Sequence, residues 1–406
     1  MRLAIIGAVL LVAGAAAVAA GLLPWAEVGA LVDRVAPIML FVVAMTVVTE
    51  LASEAGLFQW IARRLRRWGR GSSLLLWLLL ALFATLSTIF LSLDTTAVLL
   101  TPVVVTVTRR AGLPVLPFAL TTVWLANTAS LLLPISNLTN LLAQHHLGGM
   151  SPAGFAALMW APALAAILVP LAFIGVVFRR ELRKKYARIP VGRIRPDATV
   201  SEQRDTSPVT DRVLLASTAV TLALLLPALV SGIPIWISAL GAALALLAVF
   251  AVRRRSALSV WLVPWSLLLF TSGLFLVVEA TRYLGAPALL GQLAGQGEGF
   301  FELLRLAATG VVGSNALNNL PAYLLLEPLA GTPLRTAALL IGVNAGPLIT
   351  PWASLATLLW HDRLVKMNVL ITWKGYALFG LMVVPLTVAA AVGALAVTGM
   401  TVGAGP

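Results

Sequence analysis

Asp94 lies between Leu93 and Thr95-Thr96, in a stretch, LSLDTTAVLLTPVV, that is otherwise apolar enough to sit in lipid. A carboxylate there is expensive unless it is paired, hydrated or protonated, so the position can load and unload a proton or face a polar solute. Neutral hydrogen-bonding groups interrupt other apolar runs in the same way. They are Thr95 and Thr96 themselves; Asn127, Ser136, Asn137 and Asn140; Ser314, Asn315, Asn318 and Asn319; and Asn344, Thr350, Ser354 and Thr357. Amides and hydroxyls at such breaks fit a neutral or oxygen-rich solute, and the prolines Pro134, Pro347 and Pro351 force the unwinding. The bland readings stand beside these. Asp94 would also cap the helix that follows it, and the amides would also satisfy broken backbone or stitch helices together. Glu50 and Glu279 are further acids in apolar runs, with proton coupling on one reading and an interfacial salt bridge (Glu279 with Arg282) on the other.

Much chemistry is excluded. The chain has no cysteine and three histidines, two of them adjacent at His145-His146, which offers no thiolate or zinc site. It carries no phosphate-cradling motif for ATP hydrolysis and no nucleophile–base constellation, so neither an enzyme nor a metal or other cofactor is expected.

The elements that must position these residues are membrane spans. Of 406 residues 60% are hydrophobic and 11% charged, against roughly 25% charged in soluble domains, so an all-α polytopic membrane protein is expected. The segment Leu3–Leu23 is too long for a signal-peptide core and reads as the first span. A second runs over Val35–Gly56. Ser73–Leu91 starts from the basic loop Arg63–Arg70 and Asp94–Thr108 ends at Arg109-Arg110, so the pair has positive charge at both outer ends and predicts a re-entrant hairpin with Asp94 at its tip. Leu116–Leu142 is a span broken near Pro134, and Ala153–Phe178 returns. Residues 179–212 carry ten Lys/Arg against five Asp/Glu and form a basic linker between an amino-terminal membrane half (1–178) and a carboxy-terminal one (213–406). In the second half, spans are expected over Val213–Val230, Ile235–Val252 and Val260–Thr281. A second hairpin over 299–329 turns at Ser314-Asn315, Pro333–Trp360 is broken, and the last span is Thr372–Val397. Placed this way, 24 of the 28 Lys/Arg fall on one side, leaving only Arg34, Arg282, Arg305 and Arg335 on the other. The net charge of +13 therefore reads as positive-inside topology with the amino terminus in the cytoplasm, and not as nucleic-acid binding. The linker also admits a lipid-headgroup contact.

The halves repeat each other weakly. Leu40-Phe41, Glu50 and Gly56 reappear as Leu269-Phe270, Glu279 and Gly285; Asn127, Pro134 and Leu138 reappear as Asn344, Pro351 and Leu355; Leu93-Asp94-Thr95 is matched with Leu317-Asn318-Asn319. The charge count runs the two Glu-bearing spans in opposite directions, so two inverted-topology repeats are expected, each with a re-entrant hairpin and a broken transmembrane helix.

At these residues the chain also resembles a family. LDTTAVLLTPVV, ANTASLLLPISNLTNLL, SNALNNLPA and GPLITPWASLATLLW resemble bacterial arsenite/antimonite efflux permeases (the ArsB type), of a superfamily that includes sodium/proton antiporters and di- and tricarboxylate carriers. The resemblance runs from about Pro37 to Thr372 and implies a secondary transporter with facing hairpins. This chain departs from the family pattern at Leu93, where an Asn is common, at Asn127, where an Asp is common, and near Ala345 and Leu348. The resemblance implies export of arsenite or antimonite, as the neutral trihydroxide, against protons. The alternatives are a carrier of another anion or a sodium/proton antiporter. It also admits a soluble ATPase partner on the basic loops; a homodimer is left open by the residues.

Overall fold

Apolar runs of this length must satisfy their backbone within the segment when lipid surrounds them, and the helix does so. A computed structural model describes residues 2–186 and 211–402, so most of the expected linker, 187–210, lies outside the described residues. The first half contains α1 (Arg2–Ala19), α2 (Trp25–Glu54), α3 (Leu57–Trp68), α4 (Ser73–Leu91), the single turn α5 (Leu93–Thr95), a π-helical stretch Thr96–Leu100, α6 (Thr101–Arg110), α7 (Val115–Thr128), α8 (Leu138–His146), α9 (Pro152–Val177) and α10 (Arg179–Leu182). The second contains α11 (Arg212–Ala228), α12 (Ile235–Arg253), α13 (Trp265–Tyr283), α14 (Ala286–Ala294), α15 (Phe300–Ala316), α16 (Asn319–Leu326), α17 (Pro333–Ala345), α18 (Leu355–Lys366) and α19 (Trp373–Val402). Among the described residues six helices, α2, α4, α9, α12, α13 and α19, are long and apolar enough to cross a membrane. The outer surface is rich in exposed Leu, Ile and Val, as a lipid-facing surface is.

The repeat is architectural. The corner between α2 and α3 is Gly56 at φ 80°, and that between α13 and α14 is Gly285 at φ 87°, a conformation that glycine adopts without a Cβ clash. The hairpin α4–α6 corresponds to α15–α16, and the broken helix α7–α8 to α17–α18. The halves then exchange partners. α1 packs on α13 while α12 packs on α2; α8 packs on α16 while α18 packs on α5 and α6; α9 packs on α19. Each broken helix therefore holds the hairpin of the other half. This is an all-α polytopic membrane fold of two inverted-topology repeats.

Two expectations shift. α2 begins at Trp25, well before Val35. The second hairpin does not turn at Ser314-Asn315: α15 continues through both to Ala316, and the turn falls at Leu317-Asn318. Asn315 stays helical because its side chain donates to the Val311 carbonyl (2.9 Å) and needs no turn to be satisfied.

Close packing of α1 on α13 rests on small residues. A Cβ on Gly273 would lie 2.8 Å from the Gly7 carbonyl oxygen, and one on Gly7 would lie 2.6 Å from the Phe270 nitrogen. Both obstacles are backbone and cannot rotate away, so the helices approach only with glycine here. Gly273→Val is expected to cost about 1–3 kcal/mol of overpacking, read as a lower thermal unfolding midpoint in detergent. Gly241→Ala, with nothing within 4 Å of its Cβ, is the control and should be neutral or slightly stabilising.

Charge separates to two ends. At one, Arg254 pairs with Glu54 (3.3 Å), Arg109 donates to the Asn368 carbonyl (3.1 Å), and Ser72 bridges to Lys185. At the other, Arg34 and Arg282 meet Glu279 and Glu327. The basic helix α3 lies along the first end, with Leu57, Phe58, Ala62 and Leu65 buried and Trp60 and Trp68 exposed, the pattern of an interfacial amphipathic helix.

Candidate functional site

The hairpin tips are built alike, and from unfavourable backbone. Ser92 (φ 130°, ψ 162°) and Asn318 (φ 144°, ψ 159°) occupy a region that belongs almost wholly to glycine. Each ends one arm and caps the next: Ser92 Oγ accepts from Thr95 N (3.2 Å), and Asn318 Oδ1 accepts from Leu320 N (3.3 Å). Ser92 is thus the N-cap, and Asp94, on the first turn beyond it, is not. The tips pair as Ser92 with Asn318, two residues away from the match made on Leu93-Asp94-Thr95 and Leu317-Asn318-Asn319. On this register Asp94 faces Leu320, so only one tip carries an acid. Ser92→Ala keeps the strained backbone and loses the cap, and is expected to cost about 1 kcal/mol; Ser92→Gly loses the cap and relieves the strain, and should cost only a few tenths. Thermal unfolding of the two variants side by side checks that order.

Around the first tip, hydroxyls form a buried chain. Thr88 Oγ1 donates to Thr96 Oγ1 (3.0 Å), which donates to Ser87 Oγ (3.0 Å), locking the two arms. Ser136 Oγ donates to the Ile89 carbonyl (2.7 Å), covering the acceptor left by the end of α4.

Between the halves lies an amide cluster centred on Asn344. Its Oδ1 accepts from Asn137 Nδ2 (2.8 Å) and Thr139 Oγ1 (3.0 Å), and its Nδ2 donates to Asn140 Oδ1 (2.9 Å). Asn140 Nδ2 in turn donates to the Ser130 (2.6 Å) and Leu133 (3.0 Å) carbonyls exposed by the first break. Thr139 was absent from the sequence-based candidates; its place two residues after Asn137 in NLTN was the available signal.

In the second half most candidates are consumed by the break itself. Asn315 Nδ2 donates to the Gly346 carbonyl (2.9 Å), its Oδ1 accepts from Thr350 N (2.9 Å) and Thr350 Oγ1 (3.0 Å), and Asn318 Nδ2 donates to the Trp352 carbonyl (2.8 Å). Ser314 donates to Val311 O (3.0 Å), and Asn319 Oδ1 accepts from Leu320 N (2.9 Å). Asn315, Asn318 and Thr350 thus complete the unwound backbone, whereas Ser314 and Asn319 bond within their own hairpin.

What stays open is a smaller set. Asp94 Oδ1, Asn127 Oδ1 and Ser354 Oγ are buried with no hydrogen-bond partner. Ser354 and Asn127 lie at the amino end of α18, and α5, which carries Asp94, packs on the same helix. Ser354 is its N-cap residue yet makes no capping bond, and Asn127 Nδ2 lies 3.5 Å from Thr357 Oγ1 one turn on. α5 and α6 pack along α18, and Arg109 reaches Asn368 just past its end. The two therefore run side by side in one direction, which sets Asp94 level with Ser354. A carboxylate and two neutral acceptors beside a helix amino end can hold a hydroxyl-bearing solute or a proton. The twin position, where α16 meets α8, shows the same parallel packing with Asn318 level with Asn137, and ends with Glu327 beside His146 (3.9 Å).

Glu279 and Glu50 lie elsewhere. Glu279 accepts from Arg34 (3.3 Å) and Arg282 (3.4 Å) at the end remote from the basic loops. Glu327, a buried acid that sequence reasoning passed over, joins the same group through Arg34 (3.7 Å), Arg282 (3.4 Å) and Tyr323 (3.3 Å). Glu50 lies near the carboxy end of α2, the end at which Glu54 meets Arg254. Neither acid reaches the amide cluster through a hydrogen bond among the described residues. No group of three or more His, Asp or Glu with metal-holding geometry occurs among those residues either.

The citrate transporter family (CitMHS) matches residues 2–357. An arsenical pump membrane protein of Escherichia coli is 30% identical over 365 residues, covering 82% of this chain and 80% of that protein, and that of E. coli strain K12 is 29% identical over 357 residues with the same coverage. A putative arsenical pump membrane protein of Bacillus subtilis (strain 168) is 25% identical over 401 residues, covering 89% of this chain and 88% of its own. In fold the chain is similar to the Alcanivorax borkumensis YdaH transporter, whose crystal structure is described as having an unusual topology, with a TM-score of 0.52 at 17% identity over 92% of this chain and 87% of that one. With the inverted hairpins and broken helices already in view, the chain belongs to the citrate transporter (CitMHS) family and is a multi-pass membrane transporter of ions or anions, not an enzyme.

Proposed function

We propose that the protein exports arsenite or antimonite in exchange for protons, with the basic end and the amino terminus in the cytoplasm of a bacterial inner membrane. The observation that carries this reading is the orphaned Oδ1 of Asp94, on a turn packed against α18, together with the equally orphaned Asn127 Oδ1 and Ser354 Oγ at the amino end of that helix. A buried carboxylate oxygen without a donor is unfavourable by several kcal/mol, and a proton or a hydroxyl-bearing solute relieves it. Arsenite near neutral pH is mainly the uncharged trihydroxide. Its three hydroxyls match a set made of one acid and two neutral acceptors, and a proton on Asp94 competes with them for the same oxygen. That competition is the elementary requirement of exchange. Thr95, Thr96, Asn137, Asn140 and Asn344 hold the geometry around it, and the lack of cysteine fits a carrier that must release arsenic(III). Asp94 carries the proton in this scheme, with Glu50 and Glu279 holding the ends of the bundle. The scheme requires neither a soluble ATPase nor a second copy of the chain.

The test is uptake into everted vesicles of arsenite, antimonite, citrate and sodium, each with and without a proton gradient. Gradient-dependent accumulation of a metalloid and not of citrate or sodium is expected; accumulation of citrate alone replaces this reading with an anion carrier, and of sodium alone with a sodium/proton antiporter.

A further inference from the structure

A cavity of about 760 Å³ opens at the basic end, well away from the helix breaks. Its walls carry four guanidinium groups, Arg63 and Arg66 of α3, Arg110 of α6 and Arg254 after α12, with Glu54 and the neutral Gln59. Glu54 is already engaged by Arg254 at 3.3 Å. Arg63 and Arg66 sit one turn apart on one face of α3, while Arg64, between them, turns outward over the Trp60 ring (5.4 Å). No acidic side chain answers Arg63 or Arg66 among the described residues.

Arg63 and Arg66, one turn apart and answered by no acid among the described residues, repel each other until an anion enters, and their planar forks match the oxygens of a phosphoryl group better than a monovalent halide. The volume exceeds that of a bare phosphate and lies in the range of sites for small organic ligands. We propose that this cavity is a binding site for a phosphorylated anion, either a phosphomonoester lipid headgroup or a soluble phosphate. One wall is α3, carried by the long helix α2. An adjoining wall is α6, which packs on α3 and lines the cavity through Pro102, Val103 and Thr106; it is the second arm of the hairpin that bears Asp94. An occupant therefore bridges the frame and the hairpin, and restrains the arm whose tip holds the acid. The binding claim is independent of the transport reading; only the restraint on flux rests on it.

The test uses the full-length protein in phosphatidylcholine nanodiscs and follows the thermal unfolding midpoint as inorganic phosphate is added, against chloride at matched ionic strength. A saturable upward shift specific to phosphate is expected, and its loss in Arg63→Gln/Arg66→Gln. Gln59→Glu, which keeps all four arginines and adds one negative charge to the wall, should also lose it, so the claim remains testable if the double variant folds poorly. Repeating the titration in discs containing phosphatidic acid separates the sources. A raised starting midpoint with no further response to phosphate assigns the site to the lipid headgroup, and an unchanged response assigns it to the soluble anion. No shift beyond that of chloride in phosphatidylcholine discs, or a shift that persists in both variants, overturns the proposal. Neither result depends on which solute the protein carries.

Discussion

Asp94→Asn is expected to abolish gradient-driven flux, by about tenfold or more, while leaving solute exchange at equal concentrations measurable. The substitution keeps the shape of the side chain and removes its charge and its proton. A tenfold loss corresponds to about 1.4 kcal/mol, well within the cost of a buried unpartnered carboxylate that the working protein relieves at each turnover. Stability should not fall. Asp94 Oδ1 makes no hydrogen bond, so nothing native is broken, and an uncharged amide in the same place removes a desolvation cost. The decisive comparison is uphill accumulation against counterflow in the same vesicle preparation. If Asp94→Asn accumulates solute against a gradient as the unmodified protein does, the acid is only structural and the exchange scheme fails.

The second large effect concerns folding. Asn344→Ala removes the centre of the amide cluster and leaves Asn137 Nδ2, Thr139 Oγ1 and Asn140 Oδ1 each without their inter-half partner. Orphaned buried groups cost about 1–3 kcal/mol each in water-soluble proteins, and inter-helix hydrogen bonds in membranes are worth less, so a loss of about 2 kcal/mol or more is expected. Asn344→Asp preserves the acceptor for Asn137 and Thr139 but loses the donor to Asn140. Asn140 cannot flip to compensate, because its Nδ2 is held by the Ser130 and Leu133 carbonyls. The new carboxylate oxygen then faces the Asn140 acceptor without a donor, a cost of the same kind as at Asp94, so this midpoint too should fall below that of the native protein. Equal midpoints for all three would show that the cluster does not join the halves.

The register of Asn127, Pro134 and Leu138 on Asn344, Pro351 and Leu355 could be read from the chain, because proline and amide in an apolar run have few reasons to be there. The broken helices and both hairpins followed from the same reasoning. The turn of the second hairpin did not. Polarity was taken as the mark of the break, yet Asn315 is polar because it serves the neighbouring unwound segment from inside a helix, through Gly346 and Thr350. Ser92 escaped notice because its backbone conformation, and not its type, sets it apart. Whether an amide is spent or left open is a fact of three dimensions: Asn318 and Asn127 are the same residue type and both donate to a carbonyl, at Trp352 and Val123, but Asn318 Oδ1 also accepts from Leu320 N while Asn127 Oδ1 has no donor. The outer charge group joins Arg34 to Glu279 across 245 positions, a separation at which one sequence carries no signal.

That outer group has an electrical consequence. Arg34 belongs to α2, and Glu279 and Arg282 to α13, whereas Glu327 and Tyr323 follow the second hairpin and His146 ends α8. Should hairpin and α8 swing away from α2 and α13, the stationary set would be left with two cations and one anion, and the moving set with Glu327 alone. One elementary charge would thus travel with the hairpin, a displacement that a membrane voltage opposes or assists by up to about 2.3 kcal/mol per 100 mV if it crossed the whole field.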